Sequence, residues 1–351
     1  MSSYQIIEKP GPFKVAPNLP DYDSAVKTFD WSQAEGEMDW LPNGGLNLAH
    51  EAIDRHCDHG DGQKVAMIWE GKGGEVERYS FDNMRVQSNK FANVLRNLGV
   101  KKGDRVFTFM ERIPEHYFVV FGTLKAECII GPLFSAFGPD PVKDRLENSG
   151  ARILVTQPEL RKRIAHIIPH LPDLETIIII DKFQRSQEPL EEHDLNYYGL
   201  MSSSAETGPQ LNTSRDDYSV MHYTSGTTGK PKGAVHRHNA VIQHYLTGKL
   251  VLDLHPNDIY WCTADPGWVT GTSYGMFAPW TNGVTQIIYE GGFNAGKWYE
   301  IIEKYRVTMW YTAPTAVRML MKAGSAVAHQ HDLSSLRYTC SVGEPLNPEA
   351  V

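Results

Sequence analysis

Apolar positions along the chain change period several times, and each change marks an element. Leu46, Ala49, Ile53 and Cys57 recur at helical spacing, and residues 64–70 (KVAMIWE) then read as a strand. Ser80 stands where an N-cap is wanted, ahead of a helix whose apolar face is Met84, Phe91, Val94, Leu95 and Leu98. Gly99 follows as the left-handed residue that ends it. Residues 104–110, 128–134, 152–156 and 176–180 read as strands, separated by helices at 114–125, at 142–148 and near 159–168. β-Branched runs alternating with helices imply mainly parallel sheets covered on both faces, an α/β fold. Residues 181–217 carry neither period and are broken by Pro189, Gly199 and Gly208. The predicted division is therefore an extended arm over 1–45, anchored by Phe29, Trp31 and Trp40, a first α/β subdomain over 46–181, a linker over 182–217 and a second α/β subdomain over 218–351.

Composition narrows the possible functions. With 41% hydrophobic and 22% charged positions in 351 residues the chain is of the globular class. Its longest apolar run, 117–121, has five residues against the roughly 20 of a membrane span. The first 20 residues mix charges with Pro10, Pro12 and Pro17 and offer no apolar core of a secretory signal, so the cytoplasm is the expected compartment. Four scattered cysteines suggest reduced thiols. A net charge of −8 argues against a nucleic-acid partner, so a polyanionic ligand has to be gripped locally. His56 and His59 have a spacing that can bind zinc, but no second ligand cluster is near, and no metal site is expected on this chain.

The stretch that carries chemistry is Tyr223-Thr-Ser-Gly-Thr-Thr-Gly-Lys-Pro-Lys-Gly233. Glycines let successive N–H groups converge on one anion, hydroxyls add uncharged donors, and lysine adds a mobile cation. Taken as mere composition it is a flexible linker; the ordered spacing favours a polyphosphate grip. It is not a Walker A loop, because Lys230 is followed by Pro231 rather than by Ser or Thr and a helix, which disfavours a phosphoryl-transferring kinase. A strand, a loop and a returning strand is the expected local structure.

This stretch resembles the phosphate-loop signature of the acyl-adenylate-forming superfamily. Trp261-Cys-Thr-Ala-Asp-Pro-Gly-Trp-Val-Thr-Gly271, Tyr311-Thr-Ala-Pro-Thr-Ala-Val-Arg318 and Ser341-Val-Gly-Glu-Pro-Leu-Asn347 extend the likeness to AMP-forming acetyl-CoA synthetases. The resemblance implies ATP, Mg²⁺ and coenzyme A as cofactors and a short carboxylic acid, acetate first, as substrate, activated to acyl-AMP and then acyl-CoA. It implies that Thr224, Ser225, Gly226, Thr227, Thr228, Gly229 and Lys232 meet the ATP phosphates, and that Gly343, Glu344 and Pro345 line the adenine. Trp268, Val269, Thr270 and Val342 would wall the acyl pocket, with Ala313 along the pantetheine path. Taken alone, Trp268 reads as a core aromatic and Asp265 as a turn residue. The family's Mg²⁺-binding glutamate and lid lysine are expected beyond Val351, so no catalytic residue is assigned within the chain. Ala136, in Phe134-Ser-Ala-Phe137, stands where acetyl-CoA synthetases carry glycine near CoA, which puts that contact in question. The alternatives are a catalytically silent nucleotide-binding fragment and a synthetase for another short or medium acid.

Overall fold

Every residue of helix Pro114–Lys125 is buried. Pro114 starts it at the position where a missing N–H costs nothing, and a helix apolar on all sides must be covered on all sides. Tyr117 and Phe121 meet Trp280 edge-on, both at 5.4 Å between ring centroids, and Phe121 meets Phe277 at 6.0 Å. On another side Gly122 admits helix Phe81–Asn97 so closely that a Cβ there would lie 2.8 Å from Phe91 Cβ and from the Ser88 carbonyl oxygen.

The structure is a computed structural model and describes residues 13–183, 190–192, 194–224 and 231–350. Its strands are β1 (Val65–Glu70), β2 (Val76–Ser80), β3 (Arg105–Phe109), β4 (Ile129–Leu133), β5 (Ile153–Thr156), β6 (Thr176–Ile179), β7 (Asp194–Asn196), β8 (Tyr218–Thr224), β9 (Lys232–Arg237), β10 (Ile259–Cys262), β11 (Thr285–Tyr289), β12 (Met309–Thr312) and β13 (Tyr338–Ser341). They form two sheets, ordered β7-β6-β5-β3-β4-β8-β9 and β13-β12-β10-β11-β1-β2. All neighbours are parallel except β8–β9 and β1–β2.

The α/β class and the predominance of parallel pairing match the expectation, but the sheets do not follow the halves of the chain. β1 and β2 lie in the sheet built otherwise from residues 259–341, and β8 and β9 complete the sheet built from residues 105–196. Hydrophobic period shows that a strand exists, not which sheet recruits it. The 182–217 stretch contains β7 and helix Tyr197–Ser202; three edge residues, Asp194, Leu195 and Asn196, are too few to show a period. In the arm, Phe29 and Trp31 are exposed and meet each other at 5.3 Å, while Ala34, Met38 and Leu41 are the buried anchors. Trp40 is half-buried, its indole N–H donating to the Glu35 carbonyl at 3.0 Å. Ser80 caps helix Phe81–Asn97 as expected, with Asn83 returning the bond, and Gly99 has φ +76°.

One buried carboxylate ties β1 to the opposite half of the chain. Glu70 receives Lys297 at 2.6 Å, Lys304 at 2.8 Å and the Tyr305 hydroxyl, all from helix Ala295–Tyr305. Burial alone would raise its pKa, but these donors outweigh it and hold the group below the ordinary 4.5. A depressed folded-state pKa stabilises the fold above the ordinary value and ceases to do so as pH falls through the folded one. Glu70→Gln is expected to lose about 3 kcal/mol at pH 7. The gap between variant and wild type should narrow in denaturant titrations repeated below pH 4.5.

Candidate functional site

The carboxyl ends of strands from both sheets converge on one cavity of about 700 Å³, the place where parallel α/β sheets usually present ligands. Arg112 reaches it from just beyond β3, Phe134, Ser135 and Ala136 from beyond β4, Asp265 and Trp268 from beyond β10, Phe293 from beyond β11, Ala313 from beyond β12, and Val342 and Gly343 from beyond β13. Arg112 ties the two sheets here, donating to the Thr263 and Gly291 carbonyls at 3.2 and 3.3 Å while its own carbonyl accepts from Trp69 Nε1 at 2.8 Å.

The turn after β10 shapes one wall. Asp265 accepts from the Gly267 N–H at 2.8 Å and from Ser135 Oγ at 3.1 Å, so the turn is fastened to the segment after β4. Burial raises the Asp265 pKa against the pull of the Gly267 N–H and the Arg112 charge. The packing is tight: a Cβ on Gly267 would lie 2.2 Å from Phe134 N, and one on Gly271 would lie 1.9 Å from the Asp265 carbonyl. With the turn pressed inward, Trp268 is turned outward. It is 46% exposed, so it is not a core aromatic, and its ring meets Phe134 at 5.3 Å and Phe137 at 5.9 Å. Asp265 is more than a turn former, since it joins two strands' loops.

Of the residues expected at the site, Trp268, Thr270, Val342, Ala313 and Gly343 line this one cavity, and so does Ala136. Val269, 47% exposed, is not among the lining residues; nor are Glu344 and Pro345, both exposed. Glu344 is held by Arg318 and by Thr315 Oγ1 at 2.8 Å. Gly343 has φ +101°, which only glycine adopts easily, so the Gly-Glu-Pro turn needs it. The strand, loop and returning strand expected around residue 223 is present as β8 and β9: Tyr223 pairs with Gly233 and Thr224 with Lys232. Thr224 and Lys232 form the strand pair next to the segment that connects β8 to β9, and both are exposed. Ser225, Gly226, Thr227, Thr228 and Gly229 lie outside the described residues. His56 and His59 face different partners, the Trp280 carbonyl at 2.6 Å and Asp39 at 3.1 Å.

Sequence reading passed over Arg112, Phe293, Trp298 and Met319, which also line the cavity. Arg112 was findable, being a charged residue two positions after a predicted strand. The other three read as ordinary helix and loop apolars.

The class this arrangement defines is an α/β protein with a ligand cavity lined by aromatic side chains at the strand ends of two sheets. The chain belongs to the AMP-binding enzyme family, whose profile matches residues 53–351. It is 48% identical over 335 residues to the acetyl-coenzyme A synthetase of Bacillus subtilis (strain 168), a match covering 95% of this chain and 57% of that protein. It is 35% identical to acetyl-coenzyme A synthetase 2 of Pseudomonas aeruginosa, over 90% of this chain and 51% of that one. The crystal structure of a Brucella canis acyl-CoA synthetase superposes with a TM-score of 0.86 at 31% identity, covering 94% of this chain and 58% of that chain. The chain thus spans little more than half the length of the relatives it matches.

The turn after β10 yields a test of the wall. Gly267→Ala drives a methyl into backbone that cannot move aside, and is expected to cost about 3 kcal/mol. Gly138→Ala, where nothing lies within 4 Å, should stay within about 0.5 kcal/mol of wild type. Denaturant unfolding of the two variants in parallel checks the contrast.

Proposed function

We propose that the full-length protein activates a short carboxylic acid, acetate first, with ATP. A carboxylate oxygen attacks the α-phosphorus and pyrophosphate leaves; the thiolate of coenzyme A then attacks the acyl carbon of the acyl-AMP and AMP leaves. The observation that carries this reading is the meeting of Trp268, Thr270, Val342 and Ala313, drawn from three separate sequence motifs, on one cavity.

In this reading Thr224, Ser225, Gly226, Thr227, Thr228, Gly229 and Lys232 orient the β- and γ-phosphates, and positioning with charge neutralisation does most of the catalytic work. Mg²⁺ would neutralise part of the developing phosphate charge when bound. Gly343, Glu344 and Pro345 border the adenine, with Glu344 fixed by Thr315 and Arg318 so that the turn keeps its shape. Trp268, with Val269 and Thr270 on the same turn, closes the acyl end together with Val342. The cavity is far larger than acetate alone, which suits a pocket that also receives the pantetheine arm past Ala313 and Ala136. Cys57, Cys128 and Cys262 are free thiols, which fits a reducing compartment such as the cytoplasm. No helix among the described residues is long and apolar enough to cross a membrane.

Acetate-dependent pyrophosphate release by the full-length protein tests the assignment; no release with acetate, propionate or butyrate overturns it. Close packing sets the size preference, so acetate should exceed propionate and octanoate should fail. Val342→Ala is expected to shift kcat/KM towards propionate and butyrate by about tenfold, with ATP affinity little changed. An unaltered chain-length profile would mean that Val342 is not part of the acyl wall.

A further inference from the structure

Few side chains in the wall of the strand-end cavity can exchange a proton: Arg112, Cys262, Asp265 and Tyr311. A guanidinium keeps its proton in proteins. Burial pushes the Cys262 thiol up to about 11 and raises the Tyr311 hydroxyl as well, so neither is a base at neutral pH. Among the described residues Asp265 is the one carboxylate in this wall, and the one group there able to accept a proton.

Its surroundings suit that task. Asp265 is half-buried, with Oδ1 accepting from the Gly267 N–H at 2.8 Å and Oδ2 from Ser135 Oγ at 3.1 Å. A carboxylate has about four acceptor positions, so two bonds leave it room for another donor. Among the described residues no cation stands at ion-pair distance from it. Burial raises its pKa, which strengthens it as a base; the Gly267 N–H, the Arg112 charge and the Ser135 hydroxyl oppose this, and Glu111 adds to it. Tyr117, on helix Pro114–Lys125, feels the Asp265 charge too, and burial holds its proton in place.

Position selects the step. The turn that bears Asp265 also bears Trp268 and Thr270, at the acyl end of the cavity, while its partner Ser135 precedes Ala136 on the proposed path of the pantetheine arm. The carboxylate therefore stands where the end of that arm meets the acyl group. We propose that Asp265 is the general base of the second step, taking the thiol proton of coenzyme A as sulfur attacks the acyl carbon. The S–H bond breaks and its proton passes to a carboxylate oxygen. The S–C bond forms, the bond from the acyl carbon to the phosphate oxygen breaks with its electron pair on AMP, and the proton later leaves to solvent. The proposal deepens the reading above and rests on it.

The test uses the full-length protein and measures the two steps apart: acetate-dependent exchange of pyrophosphate into ATP, and single-turnover conversion of acetyl-AMP by coenzyme A across pH. Asp265→Asn can still accept from the Gly267 N–H and meet Ser135 Oγ, but it cannot take a proton. Its thioester formation should fall about hundredfold, well beyond any loss in exchange. The remaining rate should climb about tenfold per pH unit up to the pKa of the thiol, because only preformed thiolate then reacts. Wild type should instead lose rate only on the acid side, as Asp265 protonates. Ser135→Ala removes a donor that favours the charged carboxylate, so that acid limb should move to higher pH; this variant decides the matter where Asp265→Asn does not fold. Equal losses in both steps overturn the proposal, since they would make Asp265 a wall-shaping residue only, and so does an acid limb that Ser135→Ala leaves in place. Wild type that makes acetyl-CoA alongside an unaffected Asp265→Asn removes this proposal alone. Wild type without acetate-dependent exchange removes the ATP-dependent reading with it.

Discussion

The all-buried helix Pro114–Lys125 is the constraint from which the rest of the architecture follows. A helix with no solvent face exists only if elements from elsewhere enclose it, and its polar side chains must be matched inside. His116 meets Thr108 Oγ1 at 3.0 Å, Glu115 receives Lys182 at 2.8 Å and the Tyr198 hydroxyl at 2.9 Å, and Lys125 donates to Asp54 and Asn89. These partners come from residues 54 to 198, so the helix cannot be satisfied until most of the first half of the chain has folded round it. Trp280 and Phe277 complete the enclosure from the second half.

That dependence explains why the sheets exchange strands. β1 lies between β11 and β2, with Trp69 opposite Ile288, and Glu70 at its end is held by a helix more than 220 residues later in the chain. Neither half has its own complete sheet. The cavity lies where strand ends of both sheets face each other, so its walls are fixed by the same packing that closes the core. Arg112, bonded to Thr263 and Gly291, and Ser135, bonded to Asp265, hold the opposing loops. Ligand-bearing loops on a rigid frame are the usual arrangement for binding sites.

How much of this the sequence displays differs with the kind of information. Elements with a strong local period were legible: helix Pro114–Lys125 falls at its predicted limits, and Ser80 and Gly99 bound the helix they were expected to bound. Local turn chemistry was legible too, since the hairpin β8–β9 flanks the glycine-rich stretch as expected. Distant strand partners were not, because the parallel partner of β1 lies beyond residue 285 and nothing in VAMIWE specifies it. Outward orientation was equally hidden. Trp268 and Trp261 are the same residue type seven positions apart, yet Trp261 is 2% exposed and Trp268 46%. The difference comes from Gly267 and Gly271, whose close approach to Phe134 and Asp265 is a tertiary fact. The family resemblance, by contrast, implied a pocket walled by residues near 268 and 342 with 313 on the path to it, and residues from all three places line one cavity.

Electrostatics at the hairpin completes the argument. Two histidines, His222 and His236, lie on its strands and two more, His238 and His244, follow it, and burial decides what they contribute. Desolvation pulls His222 and His244 down to about 3 and His238 to about 4, and lowers His236 as well. His222 and His236 face each other at 5.6 Å, so protonating one further opposes protonating the other. These rings are neutral at physiological pH. Their depressed pKa values mean that acid favours the unfolded chain as pH falls below the ordinary 6.5, with no gain in fold stability at neutrality. A chain of net charge −8 that is to hold a polyphosphate here must therefore draw its positive potential from groups that keep their protons.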